Sequence, residues 1–305
     1  FKPALRSVLP DIVSDDELAP ANGLLAASEY VSRTLGYAIA GLAVEYLPIA
    51  WVFYGDAASF FVSALSFVPI AVPPLAANQA LAPGLRGVAH DLVEGLIYVR
   101  RHALMLGIVG LSLGFTLGTG AFNGFFAAFN QRALGGNDAS YGALEAAMAL
   151  GMALGGVIFG RTTGRWLGGM IIGGLFSVGS ATALIALSPS AAVGLPVLAA
   201  GGVANALLLL ALQLIVQREV PRQLRGRLFA VLGLAGWLGL TVGPAAAGLP
   251  ERICGSSSLA CDRPYMAVTG LWLILLALIA ALVPAVRQAG LRPLAEAQAS
   301  EVPAP

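Results

Sequence analysis

Glu29 and Arg33 stand four residues apart inside an otherwise apolar run, with the acid N-terminal to the base. At that spacing two side chains share one face of a helix and can pair. In an apolar setting such a pair can serve in two ways. It can be a carboxylate poised by its cation to bind a proton or a ligand, or an ion pair that fastens helices together. The two cysteines, Cys254 and Cys261, frame the segment CGSSSLAC and could close a small disulfide or remain two thiols. Without a nearby His they cannot complete a tetrahedral zinc site, and no other metal is expected. His90 and His102 lie twelve apart with no HExxH spacing, no Walker loop is present, and Ser59, Ser63 and Ser66 follow helix packing. Neither a hydrolytic centre nor a cofactor is therefore expected, and the chain is not read as an enzyme.

The elements that hold these residues follow from composition. Hydrophobic residues make up 58% of the 305 and charged residues 11%, against roughly 25% charge in ordinary soluble domains; mean hydropathy is +0.83. Eight apolar runs appear: Leu24–Val44, Ile49–Val72, Ala103–Phe129, Gly142–Gly160, Leu167–Leu187, Val193–Val216, Leu228–Leu249 and Tyr265–Val283. About 20 helical residues cross a bilayer's hydrocarbon core. Lipid offers the backbone no water to bond, so each run is predicted to be a helix. The expected class is all-α, a polytopic membrane protein with eight transmembrane helices.

With eight spans, alternate loops share a side. Thirteen of the 17 Lys and Arg residues, among them Lys2, Arg6, Arg100, Arg101, Arg161, Arg225 and Arg287, fall on one side. Arg132, Arg252 and Arg263 fall on the other, with Arg33 inside a span. Positive loops stay cytoplasmic, so a multi-pass inner-membrane protein with both termini in the cytoplasm is expected. The net charge of +1 is dispersed along the chain and forms no patch for nucleic acid. On this topology Asp56 could reach outer headgroups, and Glu145, near an outer helix end, reads as a carboxylate snorkelling to water.

A repeat organises the chain. Tyr30, Thr34, Gly36, Ala38, Ala40 and Gly41 match Trp237, Thr241, Gly243, Ala245, Ala247 and Gly248 at one offset of 207 residues. The first and seventh spans then sit six helices apart in a pair of six-helix repeats. Residues 1–72 read as the end of one bundle, a helix stub plus two spans, with four helices of the parent chain missing. Residues 73–102 read as a cytoplasmic linker, 103–286 as a complete six-helix bundle, and 287–305 as a disordered tail. In the linker Leu85, Val88, Leu92, Leu96 and Val99 recur at helical steps. They predict a helix either lying along the interface or packed on the cytoplasmic ends of the spans.

Several separated segments carry a resemblance: LRSVLPDIVSDDELAPANGLL running into RTLGYAIAG, DAASFFVSAL at 56–65, HDLVEGLIYVRRH at 90–102, YGALEAAMALGMALGG at 141–156 and VPRQLRGRLFAVLG at 220–233. In this order and at these intervals the chain resembles the major facilitator superfamily, in particular its bacterial drug and siderophore exporters. The resemblance covers nearly all of the chain and implies a truncated major facilitator fold. Two features depart from the pattern. Tyr37 follows Gly36 where a Gly-Pro pair is usual, that pair occurring only at Gly243-Pro244, and the family's basic gating loop has no counterpart in these residues.

The resemblance also implies that the stub before Leu9 and the third and sixth spans line a central cavity. Arg6, Thr116, Thr119, Asn123, Asn205 and Gln213 thereby become candidates for the substrate or proton pathway beside Glu29 and Arg33, with Phe122, Phe125 and Phe126 as apolar walls or lipid-facing packing. For Asn205 and Gln213 the alternative is a plain interhelical hydrogen bond. Gly36, Gly41, Gly151, Gly155, Gly156, Gly239, Gly243 and Gly248 have the small-residue spacing that lets helices approach and slide, and Pro244 should kink its helix. The expected function is proton-coupled antiport of small amphipathic compounds by alternating access, with the substrate, protons and the bilayer as partners. A membrane scaffold or sensor that kept the fold is the alternative.

Overall fold

Apolar sequence that must satisfy its own backbone bonds becomes helix, and helix is the regular structure of this chain. The computed structural model describes residues 9, 12–14, 17–67, 85–162, 166–254 and 259–290, with no strand among them. The order is α1 (Leu18–Tyr46), α2 (Ile49–Phe67), α3 (Leu85–Arg101), α4 (Ala103–Ala133), α5 (Asp138–Gly160), α6 (Leu167–Leu187), α7 (Ala191–Glu219) and α8 (Arg222–Val242). A 3-10 segment (Gly243–Gly248), α9 (Leu249–Cys254), α10 (Leu259–Leu282) and α11 (Pro284–Arg287) follow. Arg6 and residues 291–305 of the expected tail lie outside the described residues.

Among the described residues six helical rods are long and apolar enough to cross a membrane: α4, α5, α6, α7, the rod from α8 through α9, and α10. Helix α1 has the length, 29 residues, but every 18-residue window of it contains both Glu29 and Arg33. Helix α2, with 19 residues, is apolar and packs only lightly, against α1. Its Trp51, Phe53, Tyr54, Phe60 and Phe61 are exposed.

Helix neighbours run in the order α1, α5, α7, α6, α10, α4, α8, α3. Glycines set the closest of these approaches. A Cβ at Gly155 would lie 2.6 Å from Val203 O, and one at Gly151 would strike Ala199 O, so α5 and α7 meet backbone to backbone. Gly23 and Gly156 do the same between α1 and α5, as do Gly179 and Gly270 between α6 and α10. Against α4, a Cβ at Gly243 of the 3-10 segment would lie 2.5 Å from Leu117 O, and Gly239 of α8 sits against Thr116. Gly36 and Gly248 depart from the expected seams: a methyl group there meets nothing within 4 Å. Gly41 lies in α1, and its surroundings are outside the described residues. Pro244, which has no N–H to donate, falls where α8 gives way to the 3-10 segment.

The loop ends are fixed by polar contacts. Asn137 and Ser140 form a capping box at the start of α5, and Asn130 of α4 donates to Asn137 O at 3.0 Å. Arg263 donates to Ala186 O at 2.8 Å and to Ala133 O at 3.2 Å, joining the C-terminal ends of α6 and α4. At the opposite end α3 lies on α8. Arg227 pairs with Asp91 at 2.9 Å and with Glu94 at 2.6 Å, and Gly95 brings the backbones together beside Val231. The linker helix thus packs against α8 and α4. Its apolar stripe is divided accordingly, with Val99 buried and Leu96 outward.

Just before α1, the Ser14 hydroxyl donates to the Glu17 carboxylate at 2.7 Å and the Ser14 N–H at 3.1 Å. These bonds, the hydroxyl's first, hold the Glu17 carboxyl below its usual range.

Candidate functional site

Among the described residues, two partly open cavities lie between the helices. The first, of about 370 Å³, is enclosed mainly by α1, α4, α5, α6 and α7. Helix α5 contributes Glu145, Met148, Ala149 and Met152, a set three and four residues apart and therefore one helical face. Helix α4 contributes Phe115, Thr116, Thr119, Phe122 and Asn123, and α7 contributes Asn205. The second cavity, of about 390 Å³, is lined by Asn22 and Glu29 of α1, Gln213 of α7, and Phe229 and Trp237 of α8. Tyr30 and Leu209 line both, and form the partition between them.

The ion pair read from sequence straddles that partition. Arg33 donates to the Glu29 carboxylate at 3.1 Å, and its guanidinium carbon lies 5.9 Å from the centre of the Tyr30 ring. Arg33 belongs to the first cavity and Glu29 to the second.

The remaining candidates divide by what their polar atoms do. Thr116 donates to Ser112 O at 2.9 Å and also comes within 3.4 Å of Ala235 O on α8; Thr119 donates to Phe115 O at 3.0 Å. Gln213 is the interhelical bond that was its alternative reading, donating to Asn22 Oδ1. Asn22 donates in turn to Gln217 Oε1 at 2.6 Å and to Leu18 O at 2.9 Å, so a buried amide cluster joins α1 to α7. Asn205 is different. Its Nδ2 meets only the Met152 sulfur, at 3.9 Å. Its Oδ1, in a residue 5% exposed, has no hydrogen-bond partner among the described residues.

The aromatic residues face inward rather than to lipid. Phe122 borders the first cavity, while Phe125 and Phe126 are buried, Phe125 edge-on to Tyr265 with ring centres 4.8 Å apart. Asp56 is exposed on α2. His102 closes α3 by a 2.8 Å contact with Tyr98 O. Cys254 and Cys261 are joined as a disulfide, their Cα atoms 6.2 Å apart.

Glu145 was not named among the cavity candidates. Proximity to a helix end suggested snorkelling, yet the side chain is partly buried in the cavity wall with a hydrogen bond to Tyr141. The signal was present in its register with Met148, Ala149 and Met152. Asn22 was missed as well; it lies near the start of α1, where a polar residue reads as loop.

A family model described as Major Facilitator Superfamily matches residues 1–244. No curated protein matches the chain.

Proposed function

The chain belongs to the major facilitator superfamily, a family of membrane transporters, and from that premise we propose that it is a proton-coupled exporter of small amphipathic compounds. The observation that carries this reading is the first cavity. Polar groups of α1, α4, α5 and α7 converge on a space of about 370 Å³ inside a bundle whose outer surface is largely apolar. That volume suits a small organic molecule. Alternating access is supported by the glycine seams, where helices touch through backbone and can slide without repacking side chains.

Glu29 is the proposed proton carrier. It lines the second cavity while its guanidinium partner lines the first, so protonation would release Arg33 toward the substrate space. The inner membrane with cytoplasmic termini remains the proposed location, on the distribution of Lys and Arg. The 207-residue offset supports a parent polypeptide of two six-helix repeats, and the exposed aromatic surface of α2 is where further helices would pack.

Efflux from cells expressing the parent polypeptide tests the coupling. Glu29→Gln is expected to abolish the pH dependence of efflux; unchanged efflux at every pH would remove Glu29 from the mechanism. Counterflow in proteoliposomes tests the repeat, because saturable uptake by these 305 residues alone would overturn the need for a second six-helix unit.

A further inference from the structure

Two acceptors on the wall of the first cavity, the Glu145 carboxylate and Asn205 Oδ1, are not fully matched by donors among the described residues. The hydroxyls of Thr116, Thr119 and Thr182 are spent on carbonyls of their own helices, at 2.9, 3.0 and 3.0 Å, which leaves their lone pairs to accept. The Asn205 amide N–H is turned to sulfur, and its Oδ1 is buried without a donor. Glu145 receives a hydrogen bond from Tyr141 and, among the described residues, enters no ion pair. Arg33, the one cation on this wall among the described residues, is half-exposed and directed to Glu29 and the Tyr30 ring, and no bond joins it to Glu145 or Asn205. An unmatched buried acceptor is costly, so this arrangement is completed by a ligand that brings donors.

The acceptors are also spaced. Asn205 is held at Met152, seven residues along α5 from Glu145, which is two turns or about 10 Å of helix rise. A single ammonium group cannot serve both. The faces of Phe115 and Phe122 and the Met148 thioether lie on the same wall and suit an aromatic or aliphatic body and a nearby positive charge.

We infer that the cavity binds an amphipathic organic cation whose ammonium N–H groups bond the Glu145 carboxylate and whose far end donates an O–H or N–H to Asn205 Oδ1. This rests on the reading of the cavity as the substrate site and adds the chemical class. It also adds a discrimination: quaternary ammonium ions carry no N–H and are disfavoured, as are neutral and anionic analogues.

The test is equilibrium binding to the 305-residue chain in lipid nanodiscs, with tyramine, phenethylamine, N,N,N-trimethyltyramine and 4-ethylphenol as probes. Tyramine is expected to bind about ten-fold tighter than each of the other three, a step of about 1.4 kcal/mol. Glu145→Gln should remove the advantage of tyramine over 4-ethylphenol, and Asn205→Leu the advantage of tyramine over phenethylamine. The wild-type comparison requires no variant to fold. Equal binding of 4-ethylphenol or the trimethyl compound overturns the inference and leaves the transporter reading intact. Failure of all four to bind overturns the inference and removes the cavity as a ligand site. Proton-coupled efflux by the parent polypeptide, measured separately, then decides whether the transporter reading survives with its site elsewhere.

Discussion

Arg33 bonds Glu29 at 3.1 Å, yet the two side chains belong to different cavities, with Tyr30 between them in sequence and in space. The partition is therefore thin: one aromatic ring and one leucine. On α7 the positions Asn205, Leu209 and Gln213 recur every four residues and fall in the first cavity, in both, and in the second. Cysteines placed at these three sites should report that order. Asn205→Cys and Gln213→Cys are expected to react with a charged thiol reagent from opposite faces of the membrane, and Leu209→Cys from either. Labelling of all three from one face would show a single continuous cavity.

The packing glycines should separate sharply on substitution. Gly202→Ala drives a methyl group into Met148 O on α5 and should lower stability by about 1–3 kcal/mol. Gly36→Ala enters open space and should raise it by up to about 1 kcal/mol through helix propensity. Denaturant unfolding in detergent distinguishes the two, and equal effects would contradict the seam geometry.

Removing Arg263 frees two helix-terminal carbonyls at once, Ala186 O and Ala133 O. Hydrogen bonds from a charged donor contribute about 1.5–3 kcal/mol each, and partial burial of this side chain places Arg263→Ala toward the low end of their sum. The lysine variant, with one reaching donor group, should recover part of the loss. Thermal melts indistinguishable from wild type would show that the guanidinium is not a clamp.

Arg227→Ala is expected to leave global stability almost unchanged, since half-exposed ion pairs such as those with Asp91 and Glu94 contribute only about 0.2–1 kcal/mol each. Its effect should be local. Amide hydrogen exchange in α3 should accelerate while exchange in α5 and α7 stays as it was.

For Glu17 the sign follows from its lowered pKa. A carboxyl held below its ordinary 4.5 by Ser14 favours the folded state while ionised. That contribution is present above the unfolded value and disappears as pH falls through the folded one. Glu17→Gln should therefore lower stability slightly at neutral pH and flatten the acid limb of the profile from just above 4.5 downward, where the wild type loses the same contribution. An unaltered acid limb would mean that the Ser14 contacts do not persist in solution.

Most of the helices were legible because a bilayer imposes one rule on every apolar run, and Pro244 marks the break after α8. Which face of a helix looks inward was harder to see. Gly36 and Gly151 stand in equally small-residue-rich segments, yet Gly151 meets the Ala199 carbonyl and Gly36 meets nothing; the difference lies in the neighbouring helix. Glu145 misled for a related reason. Distance from a helix end is a one-dimensional clue, whereas the cavity that Glu145 lines is formed with α1, α4 and α7, which come from other parts of the chain. Ion pairing within one helix, as for Glu29 and Arg33, needs no such partner and could be read directly.

Helix α5 is gripped on two flanks by backbone, α7 on one and α1 on the other, through Gly151, Gly155 and Gly156. Both seams exclude any side chain larger than glycine at these positions, which fixes the face of α5 that carries Glu145 even where the helices slide. Helix α4, by contrast, faces the same space with Phe115, Thr119, Phe122 and Asn123, side chains that can be exchanged one at a time. Evolution of a new cargo would then proceed by editing α4 while the carboxylate stays put.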